Sequence, residues 1–337
     1  MGTVGIRDVA ALAGVSVSTV SNVLNRPERV SATSVARVRE AIETLGYVPN
    51  LSARQLRGGR SGTIGMAVFN TAIPFFNQAI FGAETVAERA GLSIMVGNSY
   101  ESVVRQARHL ANFEQYRVDG ALVTPVTRDL SSLHRLHQRG IPVVVLDARD
   151  DAGDFDSVWL DDVGGGRLAT EHLIGIGRSR IWFVGGPLGV RQNADRLAGC
   201  REAVAATAGA TLTVKEGDGA GLRVGRTTGD QIAAMPAAER PDGIFAASDM
   251  EAIGLMQSLL RAGLHIPDDV AIVGYDDSDF AANTSVPLSS VRQPALAMGQ
   301  SAAELLIERL SGTDSAVKQI AFDPELIERE STRGGSA

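Results

Sequence analysis

Thr3-Val4-Gly5-Ile6-Arg7-Asp8-Val9-Ala10-Ala11-Leu12-Ala13-Gly14-Val15-Ser16-Val17-Ser18-Thr19-Val20-Ser21-Asn22-Val23-Leu24-Asn25 is the stretch on which the reading of this chain turns. Ile6, Val9, Ala10 and Ala13 recur at helical spacing. Gly14 breaks the run, and Ser16 stands where an N-cap belongs. A second helix buries Val20, Val23 and Leu24 and ends at Asn25-Arg26-Pro27. Two short helices joined by a tight turn, the second rich in small hydrogen-bonding side chains, form the pattern of a helix-turn-helix DNA reader. A third helix opens at Ser31, sets Val35, Val38, Ile42 and Leu45 on one face, and closes at Gly46.

Outward from this head comes a linker. Tyr47-Val48-Pro49-Asn50 leads into Leu51-Ser52-Ala53-Arg54-Gln55-Leu56-Arg57, then Gly58-Gly59-Arg60-Ser61-Gly62. Asn50 is placed to cap a helix of about two turns, marginal alone in water. The glycines after it form a flexible joint.

From residue 63 the texture changes. Strand-like runs at 63–69, 93–97, 120–123, 142–146, 157–160, 181–184, 211–214, 243–246 and 270–274 are mostly separated by amphipathic helices such as 75–90, 103–116 and 165–176. Short apolar strands alternating with helices predict an α/β fold with parallel sheets covered on both faces. Nine strands exceed one comfortable sheet, so two lobes are expected. The boundaries are a head at 1–49, a hinge helix and linker at 50–61, and a body at 62–337. The N-lobe would take about 62–160 plus 291–322, the C-lobe about 161–290 plus 323–334.

Composition agrees with a multidomain globular protein. The 337 residues are 44% hydrophobic and 21% charged, too many for one core. The net charge of −7 is unevenly spread. Residues 1–60 hold eight arginines against four acidic residues, a balance of +4, which leaves −11 for the rest. A basic head on an acidic body confines phosphate attraction to one end. No apolar run is long enough to span a bilayer, and the N-terminus opens without an apolar signal segment, predicting cytoplasmic residence. The single Cys200 excludes an internal disulfide and reads as a small buried residue.

These residues resemble the LacI family of bacterial transcription regulators, whose body resembles periplasmic sugar-binding proteins. The head carries the likeness through Ile6-Arg7-Asp8-Val9-Ala10, Ala13-Gly14-Val15-Ser16, Thr19-Val20-Ser21 and Asn25, and the linker through Gly46-Tyr47-Val48-Pro49-Asn50, Ala53 and Leu56. In the body it rests on Ile73-Pro74-Phe75-Phe76, Arg117-Val118-Asp119-Gly120, Gly165-Gly166-Arg167-Leu168-Ala169, Arg196-Leu197-Ala198-Gly199, Val273-Gly274-Tyr275-Asp276-Asp277 and Arg292-Gln293-Pro294. Each body motif is weak alone; their order behind this head makes the match specific.

For the head, the resemblance places the second helix in the major groove. Ser16, Thr19, Ser21 and Asn25 suit phosphate or capping bonds, which position without specifying. Val17, Ser18 and Asn22 face the base edges, Val17 being equally compatible with packing on a thymine methyl or with a merely tolerated first-turn residue. Most relatives are expected to carry Arg where Asn22 stands. Arg reads guanine and Asn reads adenine, so the operator should shift toward adenine there. The alternative is that Asn22 only contacts backbone or caps locally. In the linker, the family pairs two hinge helices that enter the minor groove, where Leu56 levers a base step apart, Arg54 and Arg57 neutralise phosphates, and Asn50 and Ala53 complete the helix. Alternatively Leu56 packs on its own head or body.

For the body, the resemblance places Asp147, Arg196, Ser248 and Asp276 in an effector site, with Phe76 as an apolar wall. Strand-end polar groups from separate segments suit a cleft that grips hydroxyls. Arg196 is read as opening the helix after 181–185, Asp249 as a helix N-cap, Asp277 as a turn residue, and Asp161 and Asp162 as solvated or lobe-bridging. Gly164-Gly165-Gly166 and the glycines of 185–189 lack dinucleotide spacing and read as tight turns. Relatives often have Asn where Ser248 stands, and an aromatic where Gly219-Ala220-Gly221 follows Gly217-Asp218. The retained carboxylates and Arg196 favour a sugar or polyol over a flat purine.

The expectation is therefore a repressor that binds a near-palindromic operator as a homodimer (a tetramer stays open) under control of a small effector, with no cofactor, metal or membrane partner. The rivals are a sugar-binding protein, opposed by the basic head, and a sugar-processing enzyme. The latter would need a phosphate loop or a positioned base, and His109, His134, His137, His172 and His265 lie mostly in helix patterns.

Overall fold

A computed structural model describes residues 4–47, 60–219, 221–312 and 315–333. The chain divides into two compact units, Met1–Ser61 and Gly62–Ala337.

In the first unit, α1 (Ile6–Ala13), α2 (Val17–Asn25) and α3 (Ala32–Leu45) enclose Val9, Ala10, Ala13, Val20, Val23, Val38 and Ala41. Gly14 ends α1 at φ 59°, where glycine avoids the Cβ penalty of the left-handed region, and Gly46 ends α3 in the same way. Ser16 caps α2 by accepting from the Thr19 amide at 3.1 Å, and Ser31 caps α3 by accepting from Ser34. Arg37 Nη2 donates to the Gly14 carbonyl at 3.4 Å, tying α3 to the turn between α1 and α2.

The second unit is built on two six-stranded sheets. The first sheet has the order β11-β5-β4-β3-β1-β2, from β1 (Thr63–Val68), β2 (Ser93–Asn98), β3 (Gly120–Val123), β4 (Val143–Leu146), β5 (Asp156–Leu160) and β11 (Gln319–Phe322). The second has the order β12-β10-β9-β8-β6-β7, from β6 (Arg180–Gly185), β7 (Thr211–Glu216), β8 (Gly243–Ala246), β9 (Ala271–Asp276), β10 (Ser289–Arg292) and β12 (Glu325–Ile327). All pairings are parallel except β10 with β12. The central strands are buried apolar runs, as doubly covered parallel strands require. Both sheets place their first strand between the second and the third. Each therefore has a topological switch point where ligands of open α/β sheets bind.

Helices α4 (Pro74–Arg89), α5 (Val103–Gln115), α6 (Ser131–Gln138) and α11 (Ala295–Leu310) cover the first sheet. Helices α7 (Asp162–Gly175), α8 (Arg191–Ala205), α9 (Leu222–Ala234) and α10 (Asp249–Arg261) cover the second. The chain crosses between lobes after β5, β10 and β11. Because β10 belongs to the second sheet, the middle crossing falls at 293–294 rather than 290–291.

Several local expectations are corrected. The strand expected at 270–274 runs to Asp276, and β10, β11 and β12 were not anticipated. Gly164-Gly165-Gly166 is not a turn but lies inside α7. A Cβ on Gly166 would strike the Arg196 carbonyl, and one on Gly199 the Val163 carbonyl, so these glycines let α7 and α8 cross in close contact. Cys200 is buried at that crossing region, its thiol pushed up to about 11 by burial.

Candidate functional sites

On the head, α2 turns Val20 and Val23 inward and leaves Val17, Ser18 and Asn22 exposed, with Thr19 and Ser21 half-buried. Ser16 Oγ lies 2.7 Å from Ser18 Oγ and 2.8 Å from Thr19 Oγ1. Ser18 thus shares its hydroxyl with the cap. The Asn22 side chain makes no hydrogen bond among the described residues; only its carbonyl is used, accepting from Arg26 at 2.7 Å. The side chain of Asn25, and Asn50, Ala53, Arg54, Leu56 and Arg57, fall outside the described residues.

In the body, Phe76, Asp147, Arg196, Ser248 and Asp276 line one cavity of about 260 Å³ between the two sheets. The first sheet contributes segments after β1, β2 and β4. The second contributes segments after β6, β7, β8, β9 and β10, so the lining gathers at the carboxyl ends of strands. Phe76 packs edge-on to Phe75 at 4.9 Å and near Phe69 at 6.3 Å, forming an apolar wall on the N-lobe side. Asp147 and Asp276 follow or end their strands at φ 58° and 111°, a left-handed region costly for a side-chain-bearing residue and one that clusters at ligand sites.

Arg196 does not open α8; that helix starts five residues earlier, and Arg196 sits in its second turn. Its Nε donates to Asp162 at 2.8 Å and its Nη1 to the Ala247 carbonyl at 2.6 Å, while the guanidinium stacks on Tyr275 at 3.7 Å. Burial works against the Arg196 charge, but Asp162, Tyr275 and Asp276 outweigh it and raise its proton affinity. Asp162 is therefore neither solvated nor lobe-bridging but the buried counter-ion of Arg196, and Asp161 is the N-cap of α7.

The N-cap of α10 is Ser248, not Asp249. Asp249 is wholly buried behind the cavity and accepts from the Ser278 amide and hydroxyl and from Ser290 Oγ at 2.6 Å. Burial and the neighbouring Asp276 raise its pKa. Asp277, with φ 51°, is also an ion-pair hub for Arg292 and Arg329.

Among the lining residues that sequence reasoning missed, three bond directly to its predicted ones. Gln192 Nε2 donates to the carbonyl and carboxylate of Asp147. Gln293 Nε2 donates to Asp276 Oδ1 at 2.6 Å. Glu251 accepts from Ser248 Oγ at 3.2 Å, and burial pushes its carboxyl up to about 8. The Arg292-Gln293-Pro294 motif, next to a lobe crossing, was the available signal for Gln293, and the Ser-x-x-Glu box of 248–251 the one for Glu251. Asp147 is held well above the usual carboxylate range by burial and by Asp162, against Arg196 and Gln192. Burial likewise raises Asp276, although Arg196 and Gln293 oppose it.

A helix-turn-helix head joined to a two-lobed body whose cavity gathers a few polar side chains at strand ends defines a ligand-responsive DNA-binding regulator. Residues 5–50 match the bacterial regulatory proteins of the lacI family, and residues 170–332 match the periplasmic binding protein-like domain. The HTH-type transcriptional repressor PurR of Vibrio atlanticus is 32% identical over 97% of this chain and 98% of its own length. The ribose operon repressor of Escherichia coli is 34% identical over 97% and 99%. The crystal structure of the lac repressor dimer bound to operator and the anti-inducer ONPF superposes with a TM-score of 0.84 at 26% identity, covering 98% of this chain and 99% of that one. The chain belongs to the LacI family and is a DNA-binding transcriptional repressor.

Proposed function

We propose that this repressor binds a near-palindromic operator as a homodimer and changes its operator affinity when a small sugar or polyol occupies the inter-lobe cavity. The observation that carries the reading is the convergence of Phe76, Asp147, Arg196, Ser248 and Asp276, from five separate segments, on one cavity. Its size lies just below the roughly 300–1,000 Å³ typical of small-molecule sites, which suits a ligand no larger than a single sugar ring. Aromatic rings line it from the N-lobe side alone among the described residues, whereas a flat base is best held between two walls.

The effector acts by differential affinity for two lobe arrangements, which a few kcal/mol suffices to switch. Asn22 reads adenine in each half-site, Ser18 faces a neighbouring base edge and Val17 packs on a thymine methyl, while Ser16, Thr19, Ser21 and Asn25 cap the helix or contact phosphates. The hinge 50–61 folds on DNA, with Leu56 as the minor-groove wedge and Arg54 and Arg57 on phosphates. No helix among the described residues is long and apolar enough to cross a membrane, and a regulator that meets chromosomal DNA works in the cytoplasm. The protein binds its effector without turning it over. Titrating the purified protein with sugars while following melting temperature and operator binding tests the reading. An effector raises the first and changes the second, whereas turnover of the sugar restores the enzyme reading.

A further inference from the structure

The cavity is lined by more acceptors than its own donors satisfy. Arg196 is its single cationic lining residue among those described, and the buried Asp162 already neutralises it. Against that stand the buried carboxyls of Asp147, Asp276 and Glu251, with Glu101 at the rim. Asp147 Oδ1, Asp276 Oδ2 and Gln293 Oε1 are buried without a hydrogen-bond partner. The amides are partly spent: Gln192 gives two bonds to Asp147, and Gln293, Asn193 and Asn70 give one each to Asp276, the Pro187 carbonyl and Glu101.

Glu251 sharpens the point. Its residue is 1% exposed, yet it lines the cavity. Ser248 gives its only proton to Glu251 Oε2 and accepts from the Glu251 amide, so the serine has no donor left for a ligand. Glu251 Oε1 has no hydrogen-bond partner among the described residues. The groups acting electrostatically on Glu251 are Arg196, which favours its charge, and Asp276, which opposes it. A cation placed between two carboxyls that disfavour each other's ionisation lets both ionise, displacing the proton that burial holds on Glu251. A hydroxyl offers one donor and no charge; an ammonium offers three donors, no acceptor and the missing charge.

We propose that the effector carries a protonated amino group, as an amino sugar or aminopolyol does, seated between Glu251 and Asp276. This rests on the reading of the cavity as a polyol site and narrows it.

Matched probe pairs test it: glucosamine against glucose, galactosamine against galactose, and tris(hydroxymethyl)aminomethane against pentaerythritol, which differ only by ammonium for hydroxyl or hydroxymethyl. Calorimetry and melting curves are run on the full chain in phosphate buffer at matched ionic strength. At least one amine should bind about tenfold or more tightly than its neutral partner. Glu251→Gln, whose own melting transition shows that it folds, should lose that preference, the ratio of amine to neutral affinity falling toward one. Neutral partners that bind as well as their amines in every pair that binds, or a preference unchanged in Glu251→Gln, overturn the proposal and leave the polyol site standing. Binding of neither partner in any pair overturns both.

Discussion

Gln192 Nε2 donates to the main-chain carbonyl of Asp147 at 2.6 Å and to its carboxylate Oδ2 at 3.0 Å, and in doing so joins the C-lobe to the N-lobe beside the cavity. Arg191, the preceding residue, reinforces the link through the Arg149 carbonyl and Asp151. These are contacts between lobes, so they bear on how readily the lobes separate. A ligand that needs the lobes together draws on them. Replacing Gln192 by Ala leaves the buried Asp147 carboxyl without its donor, a loss of about 1–3 kcal/mol. We expect effector affinity to fall by roughly five- to 150-fold with little change in operator affinity of the unliganded protein. Calorimetry beside an operator-binding assay checks both.

Arg196 and Asp162 form a buried pair, 2.8 Å apart, under the cavity floor. Arg196→Met strands a buried carboxylate, and breaking such a pair from one side costs about 3–5 kcal/mol. The melting temperature should fall clearly. Adding Asp162→Leu, which removes the stranded charge, should recover most of the stability without restoring effector binding. Denaturation curves of the single and double variants separate the two effects.

Glu251 makes stability depend on pH with a definite sign. Its carboxyl, pushed up to about 8 by burial, holds a proton in the folded chain that the unfolded chain has released. Between about pH 4.5 and 8 the native state therefore binds more protons, and stability falls as pH rises. Glu251→Gln should flatten this slope, gaining melting temperature at pH 8 relative to wild type and little at pH 5. Melting curves across that window read it directly.

Asn22 stands on the exposed face of α2 with no hydrogen bond from its side chain among the described residues. Selection of operators from random DNA should return adenine at one position of each half-site. Asn22→Arg should move the preference to guanine, with discrimination of about 1–3 kcal/mol, and Asn22→Ala should flatten it. Equal recovery of all four bases by the wild type would remove Asn22 from base reading.

How much of this was legible depended on whether a residue's role is local. Ser16 and Ser31 as caps, and Gly14 and Gly46 as helix ends, follow from neighbours within a turn, and the structure places them there. The central strands announced themselves as apolar runs such as Val143–Leu146. By contrast β10 buries Ser289 and Ser290, whose hydroxyls bond residues about 40 positions away in the chain, so no local pattern marks it. β12 spans three residues and exists only as a partner of β10. Gly164, Gly165 and Gly166 read as a turn because glycine disfavours helices, but close approach of α8 overrides propensity. The cavity's five anticipated residues were reached through strand ends and family likeness. Gln192, Gln293 and Glu251 were missed because their roles lie in pairing with partners that only the fold brings near.

Control of operator binding by occupancy of this cavity can be measured directly. The direct measurement is operator affinity of the full chain, titrated with the sugar or aminopolyol that most raises its melting temperature, for wild type and for Asp276→Asn. We expect a clear shift in operator Kd for the wild type that is lost in Asp276→Asn, while both bind operator equally well without ligand. An operator affinity that ignores the stabilising ligand, or a response that survives unchanged in Asp276→Asn, would contradict it.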